Sequence, residues 1–256
     1  MSKIALVRQP SPLLDDGIVG HIEKVPVDLP LAREQWREYV RTLERHGWQT
    51  LEVEAADDCP DSVFVEDTVL MFRNVAVITR PGADSRKPET AGTRRAIEAL
   101  GGIAVAEIRE PGTLDGGDVL KIGDTVYVGR GGRTNAEGIA QLRQILAPLG
   151  GTVVTVPVTT VLHLKTAVTA LPDGTVIGYP DEVDHPELFD RFMAVPEPGS
   201  AVVCLSDSEV LMSASAPRSA AMIRDLGYTV TEVKLSEFEK LEGCPTCLSV
   251  RIRCRG

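Results

Sequence analysis

The sequence predicts an α/β fold built from repeated ββαβ units. Strand, tight turn, strand, helix and strand follow one another several times along the chain. The units begin near Glu66, Asp115, His163, Val202 and Cys247, so successive starts lie 49, 48, 39 and 45 residues apart. A near-constant period is typical of repeat architectures, in which each unit buries its apolar face against its neighbours. Periodicity alone leaves two folds open: a ring of five units around a central channel, and an ordinary α/β sandwich with coincidental spacing.

The individual elements follow from local patterns. A strand is predicted at residues 4–7, and a helix at 31–46, where apolar residues recur at helical spacing before Gly47. In a ring, this N-terminal segment and the last strand would share the fifth unit, so we expect one catalytic domain over residues 1–256. The remaining predicted elements are strands at 48–53, 75–79, 119–122, 125–128, 152–156 and 247–252, and helices at 89–100, 135–149 and 217–226.

Composition narrows the class of protein. The 256 residues carry a formal net charge of −10, which argues against nucleic acid and anionic membranes as main partners. No apolar run approaches the roughly 20 residues that span a bilayer, and the first one, residues 4–7, is too short for a secretory signal. Five scattered cysteines favour free thiols over a disulfide framework. We therefore expect a cytoplasmic protein; a homodimer is compatible with the sequence, which does not decide the oligomeric state.

Polar residues recur where the repeated units begin. In a ring, these positions would face one central channel and bring together side chains that are far apart in the sequence. They are Glu66, Asp67, Asp115, Asp118, His163, Lys165, Thr246 and Cys247. Among the four histidines we select His163, because it interrupts the otherwise apolar strand predicted at residues 161–166.

This set of residue types favours chemistry on a guanidinium group. A cysteine thiolate attacks trigonal carbon, and a histidine can protonate a departing amine and then activate water. Carboxylates would repel the oxyanion of peptide hydrolysis, but they match a planar cation in charge and in bidentate geometry. Such a cation would also lower the pKa of the nearby thiol.

Five segments carry a resemblance to a known family. Residues 61–67, 113–118, 133–135, 163–166 and 247–249 closely resemble the dimethylarginine dimethylaminohydrolases, within the guanidino-group-modifying superfamily, and the similarity runs from about Leu6 to Ile252. The resemblance implies a five-bladed α/β propeller, the pentein fold. It also implies hydrolysis of asymmetric dimethylarginine and monomethylarginine to citrulline, with no bound cofactor or metal. The implied partner is a small cationic molecule.

The resemblance also implies roles for individual residues. Cys247 would attack the guanidinium carbon, and His163 would protonate the leaving amine and later activate water. Asp67 would hold the guanidinium nitrogens, and Asp115 would support either the substrate or His163. By the same resemblance, Arg86 and Arg133 would bind the α-carboxylate of the substrate. Asp61 and the carbonyls of Ile18 and Leu241 would bind its α-amino group. Two further contacts are assigned to Glu66, next to Asp67, and to Thr246, next to Cys247. Gly17 and Gly20 flank Ile18 and suit a mobile lid.

Two other functions compete with this one. Arginine or agmatine deimination could use the same scaffold, but deiminases generally carry a second carboxylate at the position of Lys165. A lysine there would leave room for N-methyl groups. Cys244 and Cys247 also form a CxxC pair, as in redox or zinc proteins. The residues after Cys247 predict a strand rather than a helix, and no further ligand pair completes a zinc site.

Overall fold

The computed structural model describes residues 2–254, and the strands within that range form five three-stranded sheets. In each sheet the first strand is antiparallel to the second, and the second is parallel to the third. The sheets are β15 (Val250–Cys254), β1 (Ser2–Val7) and β2 (Gln49–Glu52); β3 (Val69–Phe72), β4 (Val75–Ile78) and β5 (Ala104–Glu107); β6 (Val119–Ile122), β7 (Thr125–Arg130) and β8 (Thr152–Pro157); β9 (Val168–Ala170), β10 (Val176–Gly178) and β11 (Phe192–Ala194); β12 (Val202–Cys204), β13 (Glu209–Ser213) and β14 (Thr229–Val233).

The two ends of the chain share one sheet. Strand β15 supplies the first strand and pairs antiparallel with β1, so that Ile4 lies opposite Ile252. Strand β2 completes the sheet in parallel with β1. The predicted sharing of a unit by the two termini is therefore confirmed.

Helices connect the second and third strands in four of the five described sheets. The long helices are α1 (Leu29–Arg45), α2 (Thr90–Leu100), α3 (Ala136–Leu146) and α5 (Pro217–Asp225), and the short ones are α4 (Leu164–Ala167) and α6 (Ser236–Glu239). Asp28 and Asn135 cap α1 and α3, because their side chains accept hydrogen bonds from Leu31 N and Gly138 N. Among the described residues, no helix combines the length and apolar character needed to cross a membrane.

The first strands of the five described sheets line one common cavity. It measures about 190 Å³ and is lined by residues of β3, β6, β9, β12 and β15. Residues of these strands also pack into apolar clusters with the helices, such as Leu70 and Val119 with the α3 residues Leu142 and Leu146. The turns that precede the first strands are thereby gathered near one another, although they are distant in sequence.

Two local predictions near these turns were wrong. The last strand begins at Val250 rather than at residue 247, so Cys247 lies in a turn. His163 does not lie within a strand; it immediately precedes α4, and the residues before it form bends. Apolar residues such as Leu164 led to the prediction of a strand, but in the structure Leu164 is buried as part of a single helical turn.

Candidate active site

A small pocket brings together side chains from turns throughout the chain. It is separate from the 190 Å³ cavity and measures about 20 Å³, room for about one water molecule. The nucleophile and base predicted from the sequence line this smaller pocket, so we assign the chemistry to it rather than to the larger cavity. Its lining residues are Ile18, Asp61, Phe64, Asp67, Arg86, Arg133, Leu162, His163, Leu241, Glu242 and Cys247.

Asp115 lies behind His163 and does not line the pocket. The Nε2 atom of His163 is 2.9 Å from Asp115 Oδ2, and Asp115 is fully buried. Its other oxygen, Oδ1, accepts a hydrogen bond of 2.8 Å from Gly82 N. Asp115 therefore contacts the histidine, one of the two alternatives that the sequence left open.

The second acid of the same motif has a different position. Asp118 Oδ1 accepts from Leu164 N, and its Oδ2 accepts from the Thr134 hydroxyl. Thr134 Oγ1 in turn accepts from Asp115 N, so it links the two acids. Burial outweighs these contacts and raises the pKa of Asp118 to about 6.

Asp67 places a buried negative charge beside the histidine. Its Oδ1 accepts a 2.7 Å hydrogen bond from Gly117 N, and its Oδ2 is 2.6 Å from Arg86 Nη1. Burial disfavours the imidazolium of His163, but the charge of Asp67 and the hydrogen bond to Asp115 outweigh it and raise the pKa of His163 to about 9. The imidazolium and Arg86 likewise overcome burial and hold the pKa of Asp67 below its usual value.

Two glycines make this close packing sterically feasible. A Cβ on Gly116 would lie 1.9 Å from the carbonyl oxygen of Glu66, and one on Gly117 would lie 2.6 Å from His163 Nδ1. The glycine pair of the Asp115–Asp118 motif thus lets one turn approach the backbone of another and the ring of the histidine.

Cys247 lies beside a second thiol. Its Sγ is 3.4 Å from Cys244 Sγ and also 3.4 Å from Cys244 N, a possible donor to a thiolate. The hydrogen bond with Cys244, burial and the negative charges of Glu66 and Asp67 raise the pKa of Cys247 well above its usual value. Cys247 is therefore held as a thiol, and a positive charge in the pocket would lower its pKa.

A loop at residues 17–21 closes over the pocket. Ile18 N donates to both carboxylate oxygens of Asp61, at 3.2 and 3.3 Å. Gly20 N and His21 N donate to the carboxylate of Glu242, at 2.7 and 3.1 Å. Sequence reasoning missed Glu242, whose role depends on a loop more than 200 residues away; Phe64 and Leu162 were missed because isolated apolar residues give no functional signal.

The two predicted carboxylate-binding arginines differ in their surroundings. Arg86 is buried and donates to Asp67, to both oxygens of Glu89, and to the carbonyls of Asp61 and Phe64. Arg133 is half-buried, and none of the hydrogen bonds or ion pairs found within residues 2–254 involves its guanidinium. Arg133 is therefore the more available of the two for a ligand carboxylate.

Glu66, Thr246 and Lys165 lie in the other cavity. Lys165 Nζ is 2.5 Å from Glu66 Oε1, and the Thr246 hydroxyl donates to Glu66 Oε2 at 2.8 Å. All three line the 190 Å³ cavity, whereas Asp67 and Cys247, their neighbours in sequence, line the smaller pocket. Contact of Glu66 and Thr246 with the substrate, and a place for Lys165 beside the guanidinium, stay predictions, because these side chains line the neighbouring cavity rather than the smaller pocket.

Asp67, Asp115 and His163 also have the composition of a metal site. One donor atom from each lies within 4.8 Å of the others. These donors are already engaged with one another, with Gly117 N and with Arg86, whose positive charge is 2.6 Å from Asp67. A metal ion would have to break these contacts beside an existing cation, so the set fits a proton-transfer network better than a metal site.

Comparison with known proteins agrees with this geometry. The arginine deiminase family model matches residues 42–198. The dimethylarginine dimethylaminohydrolase of Streptomyces coelicolor is 63% identical over 98% of both chains, and that of Pseudomonas aeruginosa is 37% identical over 98% of this chain and all of its own length. The chain belongs to the dimethylarginine dimethylaminohydrolase family.

A solved structure extends the relationship to the whole fold. A dimethylarginine dimethylaminohydrolase variant in adduct with S-methyl-L-thiocitrulline superimposes with a TM-score of 0.92 and 35% identity, covering 98% of this chain and 100% of that one. The five three-stranded sheets and their connecting helices are thus the pentein-type α/β fold of the dimethylarginine dimethylaminohydrolases.

Proposed function

We propose that this protein is a hydrolase of Nω-methylated arginines. It converts asymmetric dimethylarginine and monomethylarginine to citrulline and releases dimethylamine or methylamine. The observation that carries the proposal is the convergence of Cys247, His163 and Asp67 on one buried pocket. A thiol, an imidazolium and a carboxylate there suit a planar cation that must be attacked at carbon and then lose an amine.

The charge of the substrate activates the nucleophile. In the empty pocket the pKa of Cys247 is raised by Cys244, burial and nearby carboxylates. A guanidinium beside Asp67 would offset that negative charge and favour the thiolate. The enzyme would thus be reactive towards cationic substrates and largely inert towards neutral ureas such as its product.

The first half-reaction forms a covalent thiouronium on Cys247. The sulfur bonds to the guanidinium carbon, and the bond from that carbon to the methylated nitrogen breaks. The departing amine takes one proton from the Cys247 thiol and one from the imidazolium of His163, and leaves as dimethylammonium or methylammonium. His163 suits this role because its pKa of about 9 keeps it protonated at neutral pH.

The second half-reaction returns the enzyme to its starting state. The neutral His163 accepts a proton from water as the water attacks the thiouronium carbon. The carbon–sulfur bond then breaks, the sulfur takes the remaining proton of the attacking water to restore the thiol of Cys247, and citrulline leaves. Asp115 acts as a positioning residue throughout, because it orients the imidazole through Nε2.

The amino-acid end of the substrate extends towards the loop. Arg133, with Arg86 behind it, would bind the α-carboxylate, and Asp61 with the carbonyls of Ile18 and Leu241 would bind the α-ammonium. Burial raises the pKa of Asp61, and an ammonium ligand would lower that pKa again by favouring the carboxylate. The pocket is narrow, and opening of the loop at residues 17–21 would widen it for entry of the substrate.

Arginine and agmatine deimination are the competing activities. The position of Lys165 in the other cavity removes one reason to exclude them. Agmatine lacks the carboxylate that Arg133 would bind, which disfavours it. The relative with 63% identity supports methylated arginine over arginine.

The proposal also covers the fold around this site, the domain organisation, the partner and the cellular compartment. We propose that the five sheets close into a single five-bladed propeller around the 190 Å³ cavity and that residues 1–256 form one catalytic domain. The partner is a small cationic molecule rather than nucleic acid or membrane. A reducing cytoplasm suits the site, because oxidation of Cys244 with Cys247 would remove the nucleophile.

The test is to measure citrulline or carbamoylputrescine from dimethylarginine, monomethylarginine, arginine and agmatine supplied separately. We expect the methylated arginines to have the highest kcat/KM and Cys247→Ser to lower it by about 10⁴-fold or more. Cys204→Ser, a thiol outside the pocket, is the matched control and should keep wild-type activity. Faster turnover of arginine or agmatine would refute the substrate assignment, and normal turnover by Cys247→Ser would refute the mechanism.

A further inference from the structure

The 190 Å³ cavity is strongly cationic in an acidic protein. The chain has a formal net charge of −10, yet four cations line this cavity: Lys121, Lys165, Arg251 and Arg253. Among the lining residues within 2–254, Glu66 is the single carboxylate. The excess of three positive charges is a property of this surface and opposes the charge of the whole molecule.

Two of the cations depend on one carboxylate. Lys165 Nζ is 2.5 Å from Glu66 Oε1, and Arg251 Nη2 is 3.5 Å from the same oxygen. Arg251 also donates to the carbonyl and hydroxyl of Ser249, at 2.9 and 2.7 Å. Glu66 therefore neutralises at most one of the two positive charges.

The other two cations have no carboxylate within ion-pair distance among residues 2–254. Lys121 donates to the carbonyl of Met71, and Arg253 Nη2 donates to the carbonyl of Cys204 at 3.0 Å. Arg253 also lies over the ring of Trp48, with 5.1 Å between guanidinium carbon and ring centroid. Carbonyl partners orient these side chains but do not cancel their charge.

The positive charges of the cavity act on one another at Lys121. Desolvation of the ammonium by the cavity wall, followed by the positive charges of Lys165, Arg251 and Arg253, lowers the pKa of Lys121 to about 7, although the residue as a whole is exposed, and Glu66 opposes this only in part. A negative ligand in the cavity would relieve the repulsion and favour protonated Lys121.

We propose that this cavity binds a small tetrahedral oxyanion of the phosphate or sulfate class. Ammonium and guanidinium groups from β6, β15 and α4 line a space large enough for such an ion with a few waters. The site is distinct from the pocket of Cys247 and His163, which has its own lining residues. The inference is independent of the proposed hydrolase activity, because it rests on binding alone.

Calorimetric titration of the full chain with sodium sulfate, at constant ionic strength set with sodium chloride, tests the proposal. We expect saturable one-to-one binding with a Kd of about 1 mM or tighter. The double variant Lys121→Met with Arg253→Gln should weaken binding by about tenfold or more. Lys87→Met removes a half-buried lysine outside the cavity and is the matched control, expected to bind as the wild type does.

The pH dependence provides a second measurement. Sulfate keeps its charge between pH 6 and pH 8, whereas Lys121 gains a proton as the pH falls through about 7. The charged groups that face Lys121 are Lys165, Arg251, Arg253 and Glu66. Sulfate binding should strengthen towards pH 6 in the wild type, and Lys121→Met alone should flatten that dependence.

Several results would overturn the proposal. They are the absence of saturable binding in the wild type, equal binding by the folded double variant, and a pH dependence that persists in Lys121→Met. Circular dichroism of each variant checks that the fold is retained. Competition by citrulline would place the anion in the Cys247 pocket and would equally refute the assignment.

Discussion

Replacing Asp115 with asparagine removes the negative charge of the side chain and keeps its shape. Asp115 Oδ1 accepts from Gly82 N, and its Oδ2 contacts His163 Nε2. An asparagine has one acceptor and one donor at these positions. Gly82 N can only donate, so the amide oxygen would turn to it and the NH₂ group would face Nε2. The amide would then require an unprotonated Nε2, which excludes the imidazolium and fixes the proton on Nδ1.

The expected loss is large because the leaving amine needs a proton from the imidazolium. In serine proteases the equivalent substitution fixes the wrong tautomer and lowers kcat by about 10⁴-fold. For Asp115→Asn we expect kcat to fall by about 10³- to 10⁴-fold. The alkaline limb of the kcat/KM profile, which reports loss of the imidazolium near pH 9 in the wild type, should move to lower pH.

The assay is citrulline release between pH 6 and pH 10, with Asp118→Asn as the matched control. Asp118 is equally buried and belongs to the same motif, but it bonds to Leu164 N and to the Thr134 hydroxyl instead of His163. An asparagine satisfies both, because a hydroxyl can accept as well as donate. The control should lose less than about tenfold in kcat. If Asp115→Asn keeps the wild-type alkaline limb and a kcat within tenfold, Asp115 does not position His163.

Three further predictions follow from contacts near the two cavities. Lys165→Met should lower the free energy of unfolding, measured in urea, by about 3 kcal/mol, because it leaves the buried carboxylate of Glu66 without its main partner. The preference of the enzyme for methylated arginine should stay unchanged, and a change in that preference would contradict the placement of Lys165. Cys244→Ser should keep kcat within about tenfold, since the attack needs one thiol; complete loss of turnover would indicate an essential dithiol. Gly117→Ala should abolish citrulline release, because a Cβ would lie 2.6 Å from His163 Nδ1; wild-type turnover would show that the ring has room to move.

Much of the architecture could be predicted because it depends on periodic signals. The recurrence of strand, turn, strand and helix identified the sheets, and the incomplete first and last units implied that the termini share one. The convergence of His163 and Cys247 on one pocket followed from their positions at the starts of repeated units. These inferences need only the order and spacing of the strands and helices, which can be predicted from the sequence pattern.

The direction of individual side chains could not be predicted in the same way. Glu66 and Asp67 are adjacent acids in one helical turn, and their side chains enter different cavities. The choice depends on partners that are distant in sequence: Lys165 attracts Glu66, while Arg86 and Gly117 N hold Asp67. Spacing along the chain carries no information about such contacts, so the two acids look equivalent in the sequence.

The separation of these two acids bears on how the site controls its nucleophile. If both carboxylates faced Cys247, a single guanidinium would leave a surplus negative charge that still opposes the thiolate. Lys165 pairs with Glu66 in the other cavity, but the charge of Glu66 still raises the pKa of Cys247 together with the charge of Asp67. Lys165 therefore reduces, without abolishing, the negative charge that one bound guanidinium has to offset, so that binding of the cation favours the thiolate.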